Sequence, residues 1–229
     1  MKVAEDLGTS IVTGARAPGS LLPGELELAS ELGVSRSVVR EALRILSAKG
    51  LLESKPKTGT RVREREKWNI LDPSLLAWMF ETVPSAQFVR NLFELRMIVE
   101  PAAAELAARK RSARQLSIMG HSLETMAIHT LATAEGQLAD QQFHAAILEA
   151  TDNELIVNLS ATIGAAVRWT TFFKYRSLKK PRDPIDEHRQ LFQAIADGDA
   201  DAARQVAIAL IRQAEADTET ALNAETSGN

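Results

Sequence analysis

LPGELELASELGVSRSVVREALRILSAKGLLESKPKTGTRVR, residues 22–63 of a 229-residue chain, is the stretch that decides the fold. Apolar residues recur at helical spacing over residues 25–32, and this spacing predicts a short helix. Gly33 directly follows these residues and predicts the end of the helix, since glycine adopts without strain the left-handed conformation in which helices often end. Ser35 is a typical N-cap for a second helix from Arg36 to about Lys49. The apolar residues expected on the buried face of that second helix are Val38, Val39, Ala42, Leu43 and Leu46.

The residues after the second helix predict a two-stranded hairpin. Residues 51–54 and 60–63 have the composition of short strands, and the residues between them place Gly59 at the tip. A weakly helical stretch over residues 4–14 precedes the two helices. Three helices, a tight turn and a hairpin together predict a winged helix-turn-helix domain over residues 1–66.

Positive charge is concentrated in the same stretch. Residues 35–63 hold eight Lys or Arg and two acids, a local excess of +6 in a chain whose formal net charge is −3. Residues 1–67 carry twelve basic and nine acidic residues, so their net charge is +3 and the rest of the chain carries −6. A local positive excess on a helix-turn-helix pattern indicates a domain that binds double-stranded DNA.

The residues expected to contact DNA lie at the start of the second helix and on the hairpin. In a helix-turn-helix, the N-terminal residues of the second helix reach base edges in the major groove. Arg36 and Arg40 are four residues apart and so share one face of the helix. The alternative is that these arginines form only a solvated helix face. The full set of expected DNA contacts is Ser35, Arg36, Ser37, Arg40, Lys57 and Gly59.

The rest of the chain predicts a second, all-helical domain. The charged residues 63–67 end the first domain, and residues 67–81 are expected to form a linker and a short amphipathic helix that docks the first domain onto the second. Residues 82–229 show helical patterns, one of them continuous over residues 153–175, and no strand pattern, which predicts a bundle of six or seven helices. The fold class expected is therefore mainly α.

The composition excludes several classes of protein. The chain has no cysteine, so disulfides and thiolate metal sites are excluded, and any metal must bind to histidine and carboxylate. The sequence contains no run of eighteen apolar residues and no apolar signal core near its start. We therefore expect no membrane partner and a cytoplasmic location.

Residues 8–63 resemble the winged helix of the GntR family. The resemblance rests on Pro18-Gly-Ser-x-Leu-Pro-Gly-Glu25, the run from Leu28 to Leu43, Leu46, Gly50-Leu51 and Gly59-Thr60-x-Val62. It implies DNA contacts by Arg36, Arg40 and Gly59, and further contacts by Ser35, Ser37 and Lys57. Many members of the family have an additional arginine where this chain has Leu26, so we expect one phosphate contact fewer.

The second half resembles the FCD domain of the FadR-like branch of that family. The matching residues are Arg96, Glu100-Pro101, Ala103-Ala104, Asp140, Phe143-His144, Asn153, Glu187-His188, Leu191, Ala194-Ile195 and Gly198-Asp199. The resemblance implies a homodimer that binds small carboxylates, often beside a divalent metal held by one aspartate and three histidines. The last of those histidines is replaced here by Leu210, so the implied ligands are Asp140, His144 and His188.

The chemistry of these three residues is consistent with a metal site. Asp140 and His144 are four residues apart and share a helix face, and His188 lies on a later helix that can face them across a bundle. Mixed imidazole and carboxylate ligands suit Zn or Ni, and three ligands leave positions open for an effector. The alternative is that no metal binds and the histidines contact the effector directly.

Other residues are expected near the effector. Arg96 matches an inward-facing arginine of the family and pairs either with an effector carboxylate or with an internal acid. Further candidates for lining the pocket, on the helix before Pro181, are Trp169, Lys174, Tyr175 and Arg176. A tryptophan at helical spacing also suits a core position.

Residues 67–78 resemble the linker of GntR-family regulators of sugar-acid catabolism. The expected function is therefore that of a homodimeric repressor, not an enzyme, released from operator DNA by a small carboxylate such as an aldonate. Two alternatives remain open from the residues: a metal-dependent enzyme that uses Asp140, His144 and His188, and a DNA-binding protein without an effector.

Overall fold

The computed structural model describes residues 2–55 and 58–227, and the chain separates into two compact units. The first unit extends to Thr82 and the second begins at Val83. The predicted fold class is confirmed: the first unit is a winged helix-turn-helix and the second is all-helical. Among the described residues no helix is long and apolar enough to cross a membrane.

Over residues 2–55 and 58–82, the first unit contains four α-helices and a hairpin. In chain order they are α1 (Lys2–Val12), α2 (Glu25–Leu32), α3 (Arg36–Ala48), β1 (Leu52–Lys55), β2 (Gly59–Val62), a short 3-10 turn (Arg65–Lys67) and α4 (Pro73–Glu81). The two strands pair antiparallel, with Leu52 opposite Val62 and Lys55 opposite Gly59.

Local sequence signals explain where α2 ends and where α3 begins, on the two sides of the turn that connects them. Gly33 ends α2 in the left-handed conformation, and the Ser35 hydroxyl accepts a hydrogen bond from the Val38 backbone N–H and caps α3. Gly50, after α3, has a φ of 78°, and a Cβ at this position would lie 2.4 Å from the Lys67 carbonyl oxygen. Only glycine therefore fits where the chain leaves α3.

The core of the first unit contains most of the predicted face of α3. Val39, Ala42, Leu43 and Leu46 are buried. The prediction for Val38 was wrong, because its side chain is 42% exposed. It lies at the edge of the buried stripe, in an open groove that residues of α1, Ser37 and Glu41 also line.

Residues 67–81, expected to form a linker and a docking helix, pack within the first unit. Leu75 and Trp78 of α4 belong to the same buried cluster as Leu7 of α1. A Cβ on Gly8 would lie 2.3 Å from the Trp78 ring, so glycine permits this close packing of α1 on α4. Asp72 caps α4 through its carboxylate.

Asp72 also connects α4 to the end of α3. Its carboxylate pairs with the Lys49 ammonium at 2.7 Å, and this ammonium lies over the Trp78 ring. The C-terminal end of α3 is therefore held by α4 as well as by the unit's apolar core.

The described part of the second unit, up to residue 227, contains seven helices. They are α5 (Ala86–Lys110), α6 (Ala113–His129), α7 (Ala134–Glu149), α8 (Glu154–Val157), α9 (Ser160–Ser177), α10 (Ile185–Asp197) and α11 (Ala200–Ser227). α7 packs against α5, α6 and α9, and α11 packs against α5, α9 and α10. Phe143 and Ile163 lie within the buried apolar cluster that these helices share.

One predicted helix is divided in the structure. The pattern over residues 153–175 suggested a continuous helix, whereas α8 is a single turn that ends before α9 begins. The Asn158 side chain donates a hydrogen bond to the Glu154 carbonyl oxygen, and Asn158 is the C-cap of α8. The Asn158 backbone N–H bonds to the same oxygen, but the Leu159 N–H bonds to the Ile156 carbonyl, three residues back, and the regular helix is interrupted there.

Candidate functional site

The N-terminal end of α3 is exposed and cationic. The Arg36 and Arg40 side chains are 61% and 67% exposed. The hydroxyls of Ser35 and Ser37 are exposed and lie 2.9 Å apart. Four of the six predicted DNA-contact residues are therefore brought together on one accessible helix end, where a major-groove contact is sterically free.

Glu25 of α2 holds the two arginines side by side. Its Oε2 atom accepts from Arg40 Nη2 at 3.2 Å and lies 4.0 Å from Arg36 Nη2. Exposed ion pairs of this kind contribute about 0–1 kcal/mol, so a phosphate or a guanine edge can replace the carboxylate at little cost. Sequence reasoning missed this role, although Glu25 stands in the quoted Pro-Gly-Glu motif.

The hairpin supplies the other predicted contact positions. Gly59 has a φ of 83°, a backbone conformation that favours glycine, and it begins β2 at the exposed tip. Lys57 lies outside the described residues. Leu26, which stands where many relatives have arginine, is 70% exposed on α2.

The second unit brings together the three predicted metal ligands. One ligand atom from each of Asp140, His144 and His188 lies within 4.8 Å of the others, and all three residues are buried. His188 Nε2 is 3.0 Å and His144 Nε2 is 3.5 Å from Asp140 Oδ1. α7 positions Asp140 and His144 by their i, i+4 spacing, and α10 supplies His188.

The Nδ1 atoms of His144 and His188, which face away from Asp140, each have a polar partner of their own. His144 Nδ1 lies 2.6 Å from Glu100 Oε2, and His188 Nδ1 lies 2.8 Å from the Pro184 carbonyl oxygen. These partners point both Nε2 atoms towards Asp140. Metal-binding histidines are typically oriented in this way by a carboxylate or carbonyl at the opposite ring nitrogen.

The donor set fits a divalent cation. The Pro184 carbonyl only accepts, so His188 Nδ1 carries a proton, and a neutral His188 ring then directs the Nε2 lone pair at the Asp140 carboxylate. Either a second proton or a cation resolves this conflict between two acceptors. The other Asp140 oxygen accepts from the Thr171 hydroxyl at 3.2 Å.

Electrostatics keep the acids of the site ionised. Burial opposes ionisation of Asp140, but the hydrogen bond and charge of His188 outweigh it and lower the Asp140 pKa to about 2. Burial likewise opposes ionisation of Glu100, whereas the charges of Arg96 and His144 lower its pKa to about 2. Burial disfavours the charged form of His188, but Asp140 has the larger combined effect and raises the His188 pKa.

Arg96 makes an internal ion pair, one of the two alternatives that the sequence left open. Its Nε atom is 2.6 Å from Glu100 Oε1, and both side chains are buried. Its Nη1 atom is 3.4 Å from the Thr170 hydroxyl. Arg96 thus supports Glu100, which in turn orients His144. The sequence identified Glu100 only as part of the Glu100-Pro101 motif, and no local pattern predicts its contact with His144.

A small cavity adjoins the cluster. Its volume is about 30 Å³, which is room for roughly two water molecules. Leu210 is buried in its wall and offers no metal ligand where the resemblance has a fourth histidine. The other residues that line it are Arg96, Leu131, Asp140, His144, Val167, Thr171, Lys174, Arg182, Pro184, His188 and Ala214.

Only one of the four further pocket candidates lines this cavity. Lys174 does so. Trp169 and Tyr175 are half-buried and do not line the cavity, although the Tyr175 hydroxyl donates to the Arg182 carbonyl oxygen at 3.4 Å, and Arg176 is exposed. Arg182 also lines the cavity and was not identified from the sequence, because it follows Pro181 in a connecting segment without a pattern.

An exposed cationic recognition helix and a buried polar site beside a cavity define a DNA-binding regulator with a sensor domain. The sequence agrees with this class. Residues 1–62 match the family profile described as "Bacterial regulatory proteins, gntR family", and residues 91–213 match the profile of the FCD domain. The chain belongs to the GntR family of transcription regulators, with a C-terminal FCD domain, and is not an enzyme.

Two curated relatives span nearly the whole chain. The galactonate operon transcriptional repressor of Escherichia coli (strain K12) is 34% identical over 212 residues, 92% of this chain and 92% of that protein. The HTH-type transcriptional regulator LutR of Bacillus subtilis (strain 168) is 31% identical over 213 residues, 90% of this chain and 94% of that protein.

Solved structures share the fold at lower identity. E. coli McbR/YncC superposes with a TM-score of 0.57 at 20% identity and covers 96% of both chains. The structure described as "Lar controls the expression of the Listeria monocytogenes agr system and mediates virulence" has a TM-score of 0.66 at 19% identity, again with 96% of both chains covered. At this identity the likeness establishes the fold alone.

Proposed function

We propose that the protein is a homodimeric repressor of an operon for sugar-acid catabolism, released from its operator by a small carboxylate effector. The observation that carries the effector site is the buried cluster of Asp140, His144 and His188 beside a cavity. The sugar-acid class is supported by the galactonate operon repressor among the relatives and by the resemblance of residues 67–78 to the linker of such regulators.

DNA recognition is assigned to the exposed end of α3 and to the hairpin. Arg36 and Arg40 leave Glu25 and contact base edges, since arginine pairs bidentately with guanine. The serines beside them donate to phosphates, and Lys57 and Gly59 follow the backbone or enter the minor groove. Two copies of α3 in a dimer then read two half-sites of a palindrome.

A divalent cation, Zn or Ni, is the cofactor we assign to Asp140, His144 and His188. Such a cation supplies positive charge and open coordination positions for a carboxylate or hydroxyl of the effector. The chain's own part is orientation: Glu100 and Pro184 fix the histidine rings, and Arg96 keeps Glu100 in place. If no metal binds, the same histidines donate to the effector directly.

Release from DNA requires that the effector distinguish two states of the dimer. The effector binds more tightly to a geometry that fits the operator less well, and this difference in affinity is all the free energy available for release.

An electrophoretic mobility shift of the chain's own promoter region tests the proposal. We expect retardation at low salt, reversal by a sugar acid, and loss of that reversal with a chelator if a metal is needed. His188→Ala should still retard the DNA but no longer respond to the acid. No retardation contradicts the DNA-binding assignment, and a wild-type response by His188→Ala contradicts the assigned effector site.

A further inference from the structure

One face of α9 remains partly exposed in the second unit. α9 packs mainly against α7 on one side and against α11 on another. Positions 161, 165, 168, 172 and 176 recur at intervals of three and four residues, so they share a third side of the helix. On this open face Ala161 and Arg176 are exposed, Arg168 and Phe172 are half-buried, and only Ala165 is buried.

Aromatic rings and guanidinium groups dominate the open face. Trp169, at its edge, and Phe172 pack edge to face with ring centroids 5.4 Å apart, and among the described residues neither joins the apolar core of the unit. The Arg168 guanidinium lies 5.6 Å from the Trp169 ring centroid, and that of Arg176 lies 5.5 Å from the Phe172 ring centroid. Aromatic residues and arginine are enriched at protein interfaces. The open face therefore has the composition of a contact surface for another protein.

The order of small and large residues along α9 fits a second copy of the same helix. Small residues occupy the first half of the open face and large ones the second half. A two-fold axis directly after Arg168 places Arg176 opposite the partner's Ala161 and Phe172 opposite the partner's Ala165. The side chain of Ala165 is 4% exposed, so nothing projects where Phe172 would lie. Large residues that face small ones allow two antiparallel helices to pack closely.

Charge along the chain also favours antiparallel pairing of two copies. Asp152 and Glu154 are exposed in the segment that precedes α9, and residues 149–167 contain no Lys or Arg. Lys179 and Lys180 are exposed in the segment that follows α9. Antiparallel helices bring the acidic end of one copy to the basic end of the other, whereas parallel helices bring like charges together. Complementary charge of this kind fixes the orientation of two partners.

We propose that the open face of α9 is the surface through which two copies of the chain pair, with their α9 helices antiparallel about an axis beside Arg168. The Arg168 guanidinium then lies against the partner's Trp169, and Phe172 occupies the depression at the partner's Ala165. The inference rests on the homodimer of the proposed function and adds the surface that forms it.

The pairing helix also reaches the buried cluster of the second unit. The Thr171 hydroxyl donates to Asp140 at 3.2 Å, and the next residue, Phe172, lies on the open face. Binding at the cluster that displaces α9 therefore also displaces the surface on which the second copy rests.

Introduced cysteines test the pairing directly, because the chain has no cysteine of its own. A disulfide needs Cα atoms within about 7 Å, which facing residues of closely packed helices satisfy. Arg168→Cys, beside the axis, should crosslink two copies under mild oxidation. Ala161→Cys and Arg176→Cys should not crosslink as single variants, since each cysteine lies about 22 Å along the helix from its own equivalent. The double variant should crosslink, because each cysteine then faces the other kind.

Ile128→Cys is the control for random collision. Ile128 is 75% exposed near the end of α6, away from α9, and its cysteine should crosslink only slowly on a non-reducing gel. If Arg168→Cys crosslinks no faster than Ile128→Cys, the pairing surface is refuted. If Ala161→Cys and Arg176→Cys each crosslink rapidly as single variants, the helices pair in parallel and the inference is overturned.

Sedimentation equilibrium of the full chain gives a second, independent measurement. Phe172→Glu places a charge within the surface and should weaken dimerisation at least about tenfold, whereas Ile128→Glu should behave as wild type. Thermal melting checks that both variants fold, and the cysteine variants decide the question if Phe172→Glu does not. Unchanged dimerisation of a folded Phe172→Glu protein would contradict the inference. A monomeric wild-type chain contradicts the proposed homodimer as well, whereas a dimer without the expected crosslinks refutes the surface alone.

Discussion

Glu100→Gln is the substitution for which the structure gives the clearest magnitude. Arg96 and His144 both direct donors at the Glu100 carboxylate, and all three side chains are buried. An amide of the same shape offers one acceptor oxygen, so one buried donor meets an NH₂ group, and the Arg96 charge loses its partner. Breaking a buried ion pair in this way costs about 3–5 kcal/mol.

The lowered pKa of Glu100 corresponds to a similar free-energy cost for the substitution. Lowering that pKa from 4.5 to about 2 corresponds to about 3 kcal/mol of favourable interaction with the ionised form. For a unit of this size, about 3 kcal/mol lowers the melting temperature by about 6–12 °C. The assay is scanning calorimetry of the full chain with chelator in both samples, so that bound metal contributes to neither.

Glu105→Gln is the matched control for this experiment. Glu105 lies further along α5, and its partners Arg109 and Arg204 are 57% and 47% exposed. Exposed ion pairs contribute about 0–1 kcal/mol to stability, so we expect Glu105→Gln to lower the melting temperature by at most a few degrees. If Glu100→Gln melts within about 1 °C of Glu105→Gln, the reasoning about the Arg96–Glu100–His144 network is refuted.

The remaining predictions concern the first unit. Arg40→Ala should weaken specific operator binding, measured by fluorescence anisotropy, by about 1–3 kcal/mol. The control is Arg44→Ala, which removes an arginine paired to Glu41 on the same helix and should weaken operator binding less. Equal losses of binding free energy in the two variants would contradict the contact assigned to Arg40. Gly50→Ala places a Cβ 2.4 Å from a backbone oxygen at a φ of 78° and should cost more stability in urea unfolding than Gly14→Ala, where φ is 85° but space is open. Asp72→Asn should cost about 1 kcal/mol at pH 7 by loss of the Lys49 ion pair. Burial opposes ionisation of Asp72, but Lys49 outweighs it and lowers the Asp72 pKa in the folded protein. The ion pair therefore stabilises the fold fully above the pKa that Asp72 has in the unfolded chain, and this stabilisation is lost as the pH falls through the pKa of Asp72 in the folded protein. The difference between Asp72→Asn and wild type should therefore shrink at low pH, and a constant difference would argue against the ion pair.

Features governed by local sequence were predictable. Gly33 and Ser35 delimit the recognition turn because a left-handed C-cap and a side-chain N-cap depend on a few neighbouring residues. Asp140 and His144 share a face because four residues make about one helical turn. His188 required the resemblance to the family as well, since its distance from Asp140 depends on how α7 and α10 pack.

Features governed by packing between distant segments were not predictable. The exposure of Val38 depends on which stripe of α3 meets α1 and α2, and a helical pattern alone leaves the edge of that stripe undetermined. The contact of Glu25 with Arg40 joins two helices across a turn. Arg182 reaches the cavity from a segment with no regular structure, so no periodicity points to it.

The central claim is that binding at the buried cluster and binding to DNA oppose each other in one molecule. It is tested most directly by calorimetric titration of a sugar acid into the zinc-loaded chain, once free and once saturated with operator DNA. Because coupling between two sites is reciprocal, the acid should bind the DNA-bound protein more weakly by the same factor by which it weakens DNA binding. Equal affinities of the acid for the free and the operator-bound protein would contradict the account.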